Sequence, residues 1–459
     1  APPPRGGRGQ LRSLEGPALA SAAGATVVRE GGGGGPVRPV IDSREVREGD
    51  LFFGLGGDRH DGGRFGAQAL RSGAWGICVG ERWAREASAA DDGGDGWILA
   101  AEDPLASLQA LARHWRGTLE CRVVGITGSS GKTSVKDVCR TILPGPVHAS
   151  PENFNTEIGL PLAVLTASEP TEVLVLEMGM RGPGQIAELC AIAAPDVAVV
   201  TNVGPVHVEL LGSVEAIAAA KAEIIDGLTR NGTAVVPADP GPLAPHLERA
   251  PNLLRFGRGG DVEATWVLAE EGETDALVRT PSGEHPFKLP FVEAHNLDNA
   301  LAAIATGLAL GYPVEEMAAR APGIVFSRLR GELVELPENA ILINDSYNAN
   351  PISMRAALDH LASLKAGGRR LAVLGEMREL GPEATAYHRE IGDYARRRGV
   401  EHLIGVGELG AEYGPDEHVA DADAAADALA AVLGPGDAVL VKGSRAVGLE
   451  RVAERLTDG

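Results

Sequence analysis

Apolar residues follow two patterns that alternate from about residue 118 onward. The short continuous runs "CRVVGIT", "EVLVLEM", "DVAVVTNV" and "TAVVPA" have the length of buried strands, whereas "GQIAELCAIA" and "SVEAIAAAKAEIIDGL" repeat their apolar positions with helical spacing. Continuous aliphatic strands are typical of a parallel sheet that is covered by helices on both faces. We therefore predict a doubly wound, mostly parallel α/β domain over residues 118–326.

The same alternation extends to both sides of this domain. The runs "ATVV", "DLFFGL" and "WGICVG" predict a small N-terminal α/β domain over residues 1–117. The runs "ILIND", "RRLAVLGEM", "HLIGVG" and "DAVLVKGS" predict a C-terminal Rossmann-like α/β domain over residues 327–459. A chain of 459 residues has the length of about three domains.

Composition and charge narrow the class of protein. The residues are 44% hydrophobic but only 4% aromatic, so aliphatic and alanine side chains must build the cores. A net charge of −21 argues against broad binding to nucleic acids or to anionic membranes. The chain contains neither a run of about 18 apolar residues nor a secretory signal pattern. We expect a cytoplasmic protein without a membrane span, and we expect it to be a monomer.

The stretch "VVGITGSSGKTSVKD" indicates a phosphate-binding loop between a strand and a helix. The P-loop template G-x-x-x-x-G-K-[ST] would require a glycine where this chain has Ile126. Glycines nevertheless let the backbone approach phosphate oxygens, the helix N-terminus favours anions, and Lys132 adds a point charge. The Thr133 hydroxyl could hold Mg²⁺. The alternative is an ordinary glycine-rich turn, and the loop alone does not identify a reaction.

Three residues outside the loop are candidate metal ligands. Glu177 and His207 follow two predicted strands, where α/β proteins bind ligands, although either could be a hydrogen-bonded structural residue. Lys221 falls on the apolar stripe of its helix, four residues from both Ile217 and Ile225. Burial lowers a lysine pKa, and a neutral amine could capture CO₂ as an anionic carbamate. Alternatively, the amine extends to solvent at the helix end.

The C-terminal domain has two polar segments at strand ends. In "ILINDSYNANPISM" an apolar run leads to Asp345, followed by a polar loop and by Pro351, which suits a helix start. In "VLVKGSR" a run leads to Lys442 and Arg445, whose charges could receive a carboxylate or phosphate. An Asn-rich turn and surface cations that balance the acidic chain are the respective alternatives.

Together these stretches resemble the Mur ligase family of ATP-dependent amide-forming enzymes. The family loop T-G-[ST]-x-G-K-[TS] matches "TGSSGKT", and further matches follow in order: "ENFNTEIGLPL", "LEMGMRGPGQI", "TNVGPVHVELLGSVEAIAAAKAEI", "AHNLDNALAA", "NDSYNANP", "LGEMRELG" and "VKGSR". The segment "IDSREVREGDLFFGLGGDRHDGGRF" is similar to the family's substrate-binding region, so the resemblance runs from about residue 40 to the end. This chain departs from the family at Asp61-Gly62-Gly63 and at Leu329-Arg330.

The resemblance implies a reaction and its substrates. ATP would phosphorylate a carboxylate, and an amine would displace phosphate from the acyl phosphate while two Mg²⁺ ions assist. The motifs "DSYNANP", "GEMRELG" and "KGSR", without a D-N-P-R motif, indicate the substrates UDP-N-acetylmuramoyl-tripeptide and D-alanyl-D-alanine. Closure of the domains over ATP would exclude water from the acyl phosphate.

The resemblance also assigns residues. Lys132 would hold the β- and γ-phosphates, Thr133 and Glu177 one Mg²⁺, and His207 with carbamylated Lys221 the second. The expected ATP contacts are Thr127, Gly128, Ser129, Ser130, Gly131, Lys132, Thr133, Asn296, Arg330, Asp345 and Tyr347. The expected UDP-sugar contacts are Ser43, Arg44, Asn155 and Thr156. The expected contacts in the loops that hold the dipeptide are Asn348, Asn350, Lys442, Ser444 and Arg445.

Other functions are compatible with parts of the pattern. A folylpolyglutamate-type ligase shares the central and final domains, but the segment "IDSREVREGDLFFGL" argues against it. A non-catalytic nucleotide-binding partner in cell-wall synthesis could lack Lys132, Glu177, His207 or Lys221, and all four are present. A P-loop switch protein is disfavoured by Ile126 and by the lack of an N-K-x-D motif.

Overall fold

The computed structural model describes residues 11–57, 60–90, 94–151, 153–168, 170–206, 208–270, 272–365 and 367–457. Within these residues the strands form four sheets, of five, six, three and six strands. The predicted α/β class is confirmed, because helices pack on the faces of three mainly parallel sheets. In the part of the chain so described, no helix is both long and apolar enough to cross a membrane.

The first sheet has the order β1-β5-β4-β3-β2, and only β1 runs antiparallel to its neighbour. Its strands are β1 (Thr26–Arg29), β2 (Pro39–Val40), β3 (Leu51–Phe53), β4 (Gly76–Gly80) and β5 (Trp97–Ala101). The accompanying helices are α1 (Gly16–Ala22), α2 (Gly66–Arg71), α3 (Glu81–Ala90) and α4 (Pro104–Thr118).

The central sheet is parallel throughout, in the order β11-β10-β9-β6-β8-β7. Its strands are β6 (Arg122–Thr127), β7 (Val147–Ala149), β8 (Val173–Glu177), β9 (Val197–Val200), β10 (Thr233–Pro237) and β11 (Asn252–Phe256). Its helices are α5 (Lys132–Ile142), α6 (Gly159–Thr166), α7 (Gln185–Ala193), α8 (Val208–Leu211), α9 (Val214–Asp226), α10 (Ala294–Ala309) and α11 (Val314–Arg320). Val124 packs in one core with α5 and α10, whereas Val123 packs in the core on the other face. This alternation confirms a doubly wound sheet.

A three-stranded antiparallel sheet, which the pattern of continuous apolar runs does not predict, follows β11. Its strands are β12 (Glu263–Glu270), β13 (Glu273–Thr280) and β14 (Gly283–Leu289). Buried and exposed positions alternate along β13, so one face packs on the central domain and the other faces solvent.

The C-terminal sheet has the order β15-β16-β20-β17-β18-β19, with only β15 antiparallel to its neighbour. Its strands are β15 (Glu332–Glu335), β16 (Ile341–Asn344), β17 (Arg370–Gly375), β18 (His402–Val406), β19 (Glu417–Val419) and β20 (Ala438–Lys442). Its helices are α12 (Pro351–Ser363), α13 (Ala384–Arg397), α14 (Ala422–Val432) and α15 (Glu450–Thr457). The carboxyl ends of β16 and β20 lie side by side, which places their polar loops together.

Candidate active site

A cleft of about 1200 Å³ lies between the central and C-terminal sheets. The carboxyl ends of β6, β8 and β9 line one side, and the loop after β16 lines the other. Ligands of α/β proteins bind at this edge of a parallel sheet. Most of the residues that the sequence singled out meet in the cleft: Gly128, Ser129, Ser130, Gly131, Lys132, Thr133, Asn155, Thr156, Glu177, Lys221, Asn296, Arg330, Asp345, Tyr347, Asn348, Asn350 and Lys442.

The glycine-rich loop between β6 and α5 forms a cradle that side chains would fill. Gly128 has φ +153° and Gly131 has φ +79°, conformations that favour glycine. A Cβ atom on Gly128 would lie 1.8 Å from the Thr201 hydroxyl, and one on Gly131 would lie 2.5 Å from Asn299 Oδ1. The cradle therefore requires both glycines, which fits a loop whose backbone approaches phosphate oxygens.

Two residues after β9 fix the shape of this loop. Thr201 Oγ1 donates a hydrogen bond to the Ser130 carbonyl at 2.5 Å, and the Ser130 amide donates to Asn202 Oδ1 at 3.0 Å. Neither these two residues nor Asn299 belongs to the site residues predicted from the sequence. Their polar side chains directly follow an apolar run in "VVTN", a signal that could have marked Thr201 and Asn202.

Thr133 and Glu177 place two oxygen ligands next to the cradle. The Thr133 hydroxyl donates to Glu177 Oε2 at 2.9 Å, and Asn155 Nδ2 donates to Glu177 Oε1 at 2.8 Å. Glu177 is only 2% exposed, and these two hydrogen bonds hold its carboxylate in place. The residue lines the cleft. A hydroxyl and a carboxylate are hard oxygen ligands of the kind that Mg²⁺ prefers.

Lys132 and Lys221 bring two amines to the same region. Lys132 Nζ donates to the Gly128 carbonyl at 2.9 Å, and burial lowers its pKa despite the nearby Glu177 carboxylate. Lys221 on α9 is 3% exposed, and burial, followed by the charge of Lys132, brings its pKa well below the usual lysine value. A substantial neutral fraction of the Lys221 amine would allow carbamate formation.

His207, the other expected metal ligand, lies outside the described residues. Among the residues that are described, no three His, Cys, Asp or Glu side chains converge as a metal-binding group. A Mg²⁺ ion that is held by one carboxylate and one hydroxyl would complete its shell with water and substrate phosphates, as this ion usually does. The residues present therefore fit Mg²⁺ bound together with a nucleotide.

Arg330 and Tyr347 join the cradle to the C-terminal domain. Arg330 Nη2 donates to Thr133 Oγ1 at 3.0 Å, and its guanidinium carbon lies 4.1 Å from the centre of the Tyr347 ring. Asn350 makes a second link, because Asn350 Nδ2 donates to the Ser129 carbonyl at 3.3 Å. The Asn350 side chain also caps α12 by accepting from the Ser353 amide at 2.9 Å.

Lys442 contacts the protein rather than open solvent. It is 1% exposed, and its Nζ donates to Asp345 Oδ2 at 2.6 Å and to the Asn348 carbonyl at 2.8 Å. Burial lowers the pKa of Lys442, while the Asp345 carboxylate opposes this effect. The amine thus fixes the loop that follows β16, and this loop carries Tyr347.

Five expected site residues do not line the cleft. Thr127 is fully buried at the end of β6. Ser43 and Arg44 follow β2 in the N-terminal domain, where Arg44 forms an ion pair with Asp42. The remaining two follow β20: the Ser444 hydroxyl accepts a hydrogen bond from the Arg378 amide at 3.0 Å, and Arg445 pairs with Glu450 at 3.2 Å.

Asn296 lies on α10 and lines the cleft. It is buried, and its Oδ1 accepts a hydrogen bond from Asn299 Nδ2 at 3.2 Å. Two further cleft residues had no assigned role: His295 precedes Asn296, and His360 on α12 lies 3.3 Å from the Glu293 carboxylate. Burial lowers the pKa of both imidazoles.

Comparisons with known proteins agree with this architecture. The model of the Mur ligase middle domain matches residues 126–307, and that of the Mur ligase, glutamate ligase domain matches residues 329–445. UDP-N-acetylmuramoyl-tripeptide--D-alanyl-D-alanine ligase from Bacillus subtilis is 35% identical over 431 residues, or 91% of this chain and 93% of that protein.

Solved structures extend the similarity to three dimensions. A MurF from Acinetobacter baumannii superposes with a TM-score of 0.86 at 27% identity, covering 98% of this chain and 99% of that one. A MurF ligase from Thermotoga maritima in complex with ADP gives a TM-score of 0.80 at 34% identity, covering 92% and 97%. Sequence motifs, cleft and comparisons agree: the chain belongs to the Mur ligase family.

Proposed function

We propose that this chain is an ATP-dependent ligase that joins D-alanyl-D-alanine to UDP-N-acetylmuramoyl-tripeptide in peptidoglycan precursor synthesis. The contact network of Thr133, Glu177 and Arg330 carries the proposal, because it joins the phosphate cradle to the C-terminal domain. The relative in Bacillus subtilis, which is named for this reaction, aligns with 91% of this chain. The Thermotoga maritima structure in complex with ADP supports a nucleotide in the cleft.

The reaction requires two anions to meet, the terminal carboxylate of the tripeptide and ATP. An oxygen of the tripeptide's terminal carboxylate attacks the γ-phosphorus of ATP, the bond to the bridging oxygen breaks, and ADP leaves. The amine of D-alanyl-D-alanine then attacks the acyl carbon, so that an amide forms and phosphate leaves. Because charge accumulates on phosphate oxygens, fixed cations and amide donors stabilise the first step. In this chain the cradle amides, Lys132 and Arg330 would provide them.

Mg²⁺ would neutralise phosphate charge when bound. Thr133 and Glu177 would hold one ion, and carbamylated Lys221 with His207 would hold the second. Lys221 is the residue best suited to carbamate formation, since burial and the Lys132 charge both favour its neutral amine. Asn296, Asp345 and Tyr347 would contact the nucleotide.

The domain roles are part of the same proposal. Residues 1–117 would bind the UDP-sugar through Ser43 and Arg44, with Asn155 and Thr156 near the reacting carboxylate. Residues 118–326 would bind ATP, and residues 327–459 would hold the dipeptide through the loops after β16 and β20. The nucleotide substrates imply a cytoplasmic enzyme, and a monomer remains a prediction from the sequence.

The choice of amine can be tested by competition. Purified protein would receive ATP, Mg²⁺ and UDP-N-acetylmuramoyl-tripeptide with equimolar D-alanyl-D-alanine, glutamate and diaminopimelate. Mass spectrometry should find one product, extended by the dipeptide. A product extended by glutamate or diaminopimelate would instead assign the chain to another activity of the family.

A further inference from the structure

The linker between the central and C-terminal domains, residues 324–331, contacts one face of α5. The Ser327 amide and hydroxyl both donate to Asp137 Oδ2, at 2.8 and 2.7 Å. Three residues later, Arg330 Nη2 donates to Thr133 Oγ1 at 3.0 Å. Because residues four apart in a helix share a face, Thr133 and Asp137 present two attachment points to the same segment.

Asp137 has the properties of an anchor. It is 1% exposed, Arg140 Nη2 lies 3.9 Å from its Oδ1, and the neighbouring buried Lys136 also interacts with its charge. A buried carboxylate is costly unless it accepts hydrogen bonds, and those to an ionised acceptor are stronger than neutral ones. The two bonds from Ser327 therefore fix the start of the linker against α5.

A bend in the linker directs Arg330 from the anchored segment towards Thr133. Leu329 has φ +62°, an uncommon conformation for a residue with a branched side chain, and its amide donates to Glu332 Oε2 at 3.3 Å. Directly after the bend, the Arg330 guanidinium contacts Thr133 and covers the Tyr347 ring. The location of this guanidinium thus depends on where the linker begins.

We propose that Asp137 is a positioning residue for nucleotide binding: through Ser327 it holds Arg330 against Thr133 and Tyr347. Asp137 does not itself line the cleft, so it acts through the linker. The inference rests on the proposed function, in that Arg330 contacts bound ATP or ADP. The inference goes beyond the proposed function because Asp137 touches no substrate and acts only by positioning Arg330.

A double-mutant cycle tests the proposal with ADP binding, measured by calorimetry on the full chain. Asp137→Ala should weaken ADP binding about tenfold, a coupling typical of residues in one hydrogen-bond network. Asp137→Asn, whose amide oxygen can still accept from Ser327, should restore most of the affinity. In an Arg330→Ala background, Asp137→Ala should cause little further loss, because the group that it positions is gone.

The steady-state kinetics should likewise show an effect on the nucleotide and not on the other two substrates. Asp137→Ala should raise KM for ATP while leaving KM for the UDP-tripeptide and the dipeptide nearly unchanged. Ser327→Ala, which keeps the amide hydrogen bond, should have a smaller effect of the same kind. It also supplies the test if Asp137→Ala does not fold.

Asp437 provides a matched control. It is a carboxylate, 2% exposed, that accepts hydrogen bonds from the Arg369 and Gly434 amides away from the cleft. Asp437→Ala should lower the melting temperature without changing ADP affinity. The positioning role would be overturned if Asp137→Ala reduced ADP affinity equally in the original chain and in the Arg330→Ala background. It would also be overturned if Asp137→Ala did not reduce ADP affinity at all. A wild-type chain that does not bind ADP would contradict the proposed function instead.

Discussion

The Thr133 hydroxyl donates to Glu177 Oε2 across 2.9 Å and so joins the start of α5 to the end of β8. β6 and β8 are parallel neighbours in the central sheet, which brings the cradle and this carboxylate to one edge. The pair is buried and faces the cleft. Under the proposed function, these two oxygens would be the protein ligands of one Mg²⁺ ion.

Glu177→Gln should reduce kcat by about 10²- to 10³-fold, the cost of removing one group that stabilises transition-state charge. The substitution keeps the side-chain size but removes the anionic ligand, so the activity that remains should need more Mg²⁺. Kinetics over a Mg²⁺ titration measure both effects. Glu172→Gln is the control, because the exposed Glu172 directly precedes the first residue of β8. Unchanged activity in Glu177→Gln would exclude the metal role.

Lys221→Ala should abolish activity, and short-chain carboxylates should partly restore it by replacing the carbamate anion. In the intact protein, ¹³C-labelled bicarbonate should produce a carbamate signal by NMR that the variant lacks. Lys288→Ala, at an exposed lysine on β14, should affect neither measurement. Full activity in Lys221→Ala would refute the carbamate ligand.

ADP affinity should decrease as the pH rises towards the ordinary lysine pKa. Burial lowers the pKa of Lys132 in the free protein, whereas bound phosphate favours the charged amine and raises that pKa. Between the two pKa values binding takes up a proton, so it weakens with increasing pH. Lys132→Arg keeps its charge throughout this range and should flatten the dependence. Calorimetry would measure both slopes, and identical slopes would rule out Lys132 as the titrating group.

Tyr347→Leu should weaken ADP binding by about two- to thirtyfold, since it removes the ring under the Arg330 guanidinium at a cation–π cost of about 0.5–2 kcal/mol. Tyr347→Phe retains the ring face and should bind nearly as well as the original protein. The comparison isolates the ring from the hydroxyl. If Phe is as harmful as Leu, the hydroxyl and not the stacking is responsible.

Local sequence pattern was enough to select residues that the structure brings together in the candidate cleft. Glu177 ends β8, and Gly128, Gly131 and Lys132 lie in the turn from β6 into α5; parallel strands bring their carboxyl ends to one edge whatever the order of the strands. Continuous apolar runs do not reveal the antiparallel sheet, because its strands bury only one face. The alternation along β13 was the available signal.

Contacts between distant segments could not be predicted in this way. Position at the end of β20 indicated that Lys442 lies near the site, but not that its amine would bind the carboxylate of Asp345, 97 residues earlier. The bond between Asp137 and Ser327 spans 190 residues and depends on how the linker bends. Neither Asp137 nor Ser327 lies in a local motif that would reveal its partner.

The most direct test of the account is phosphate release coupled to ligation. With ATP, Mg²⁺ and UDP-N-acetylmuramoyl-tripeptide present, D-alanyl-D-alanine should trigger release of one phosphate for each amide product formed. Glutamate in place of the dipeptide should leave the rate at background. Phosphate release that does not depend on the dipeptide, or no release at all, would contradict the proposed ligase activity.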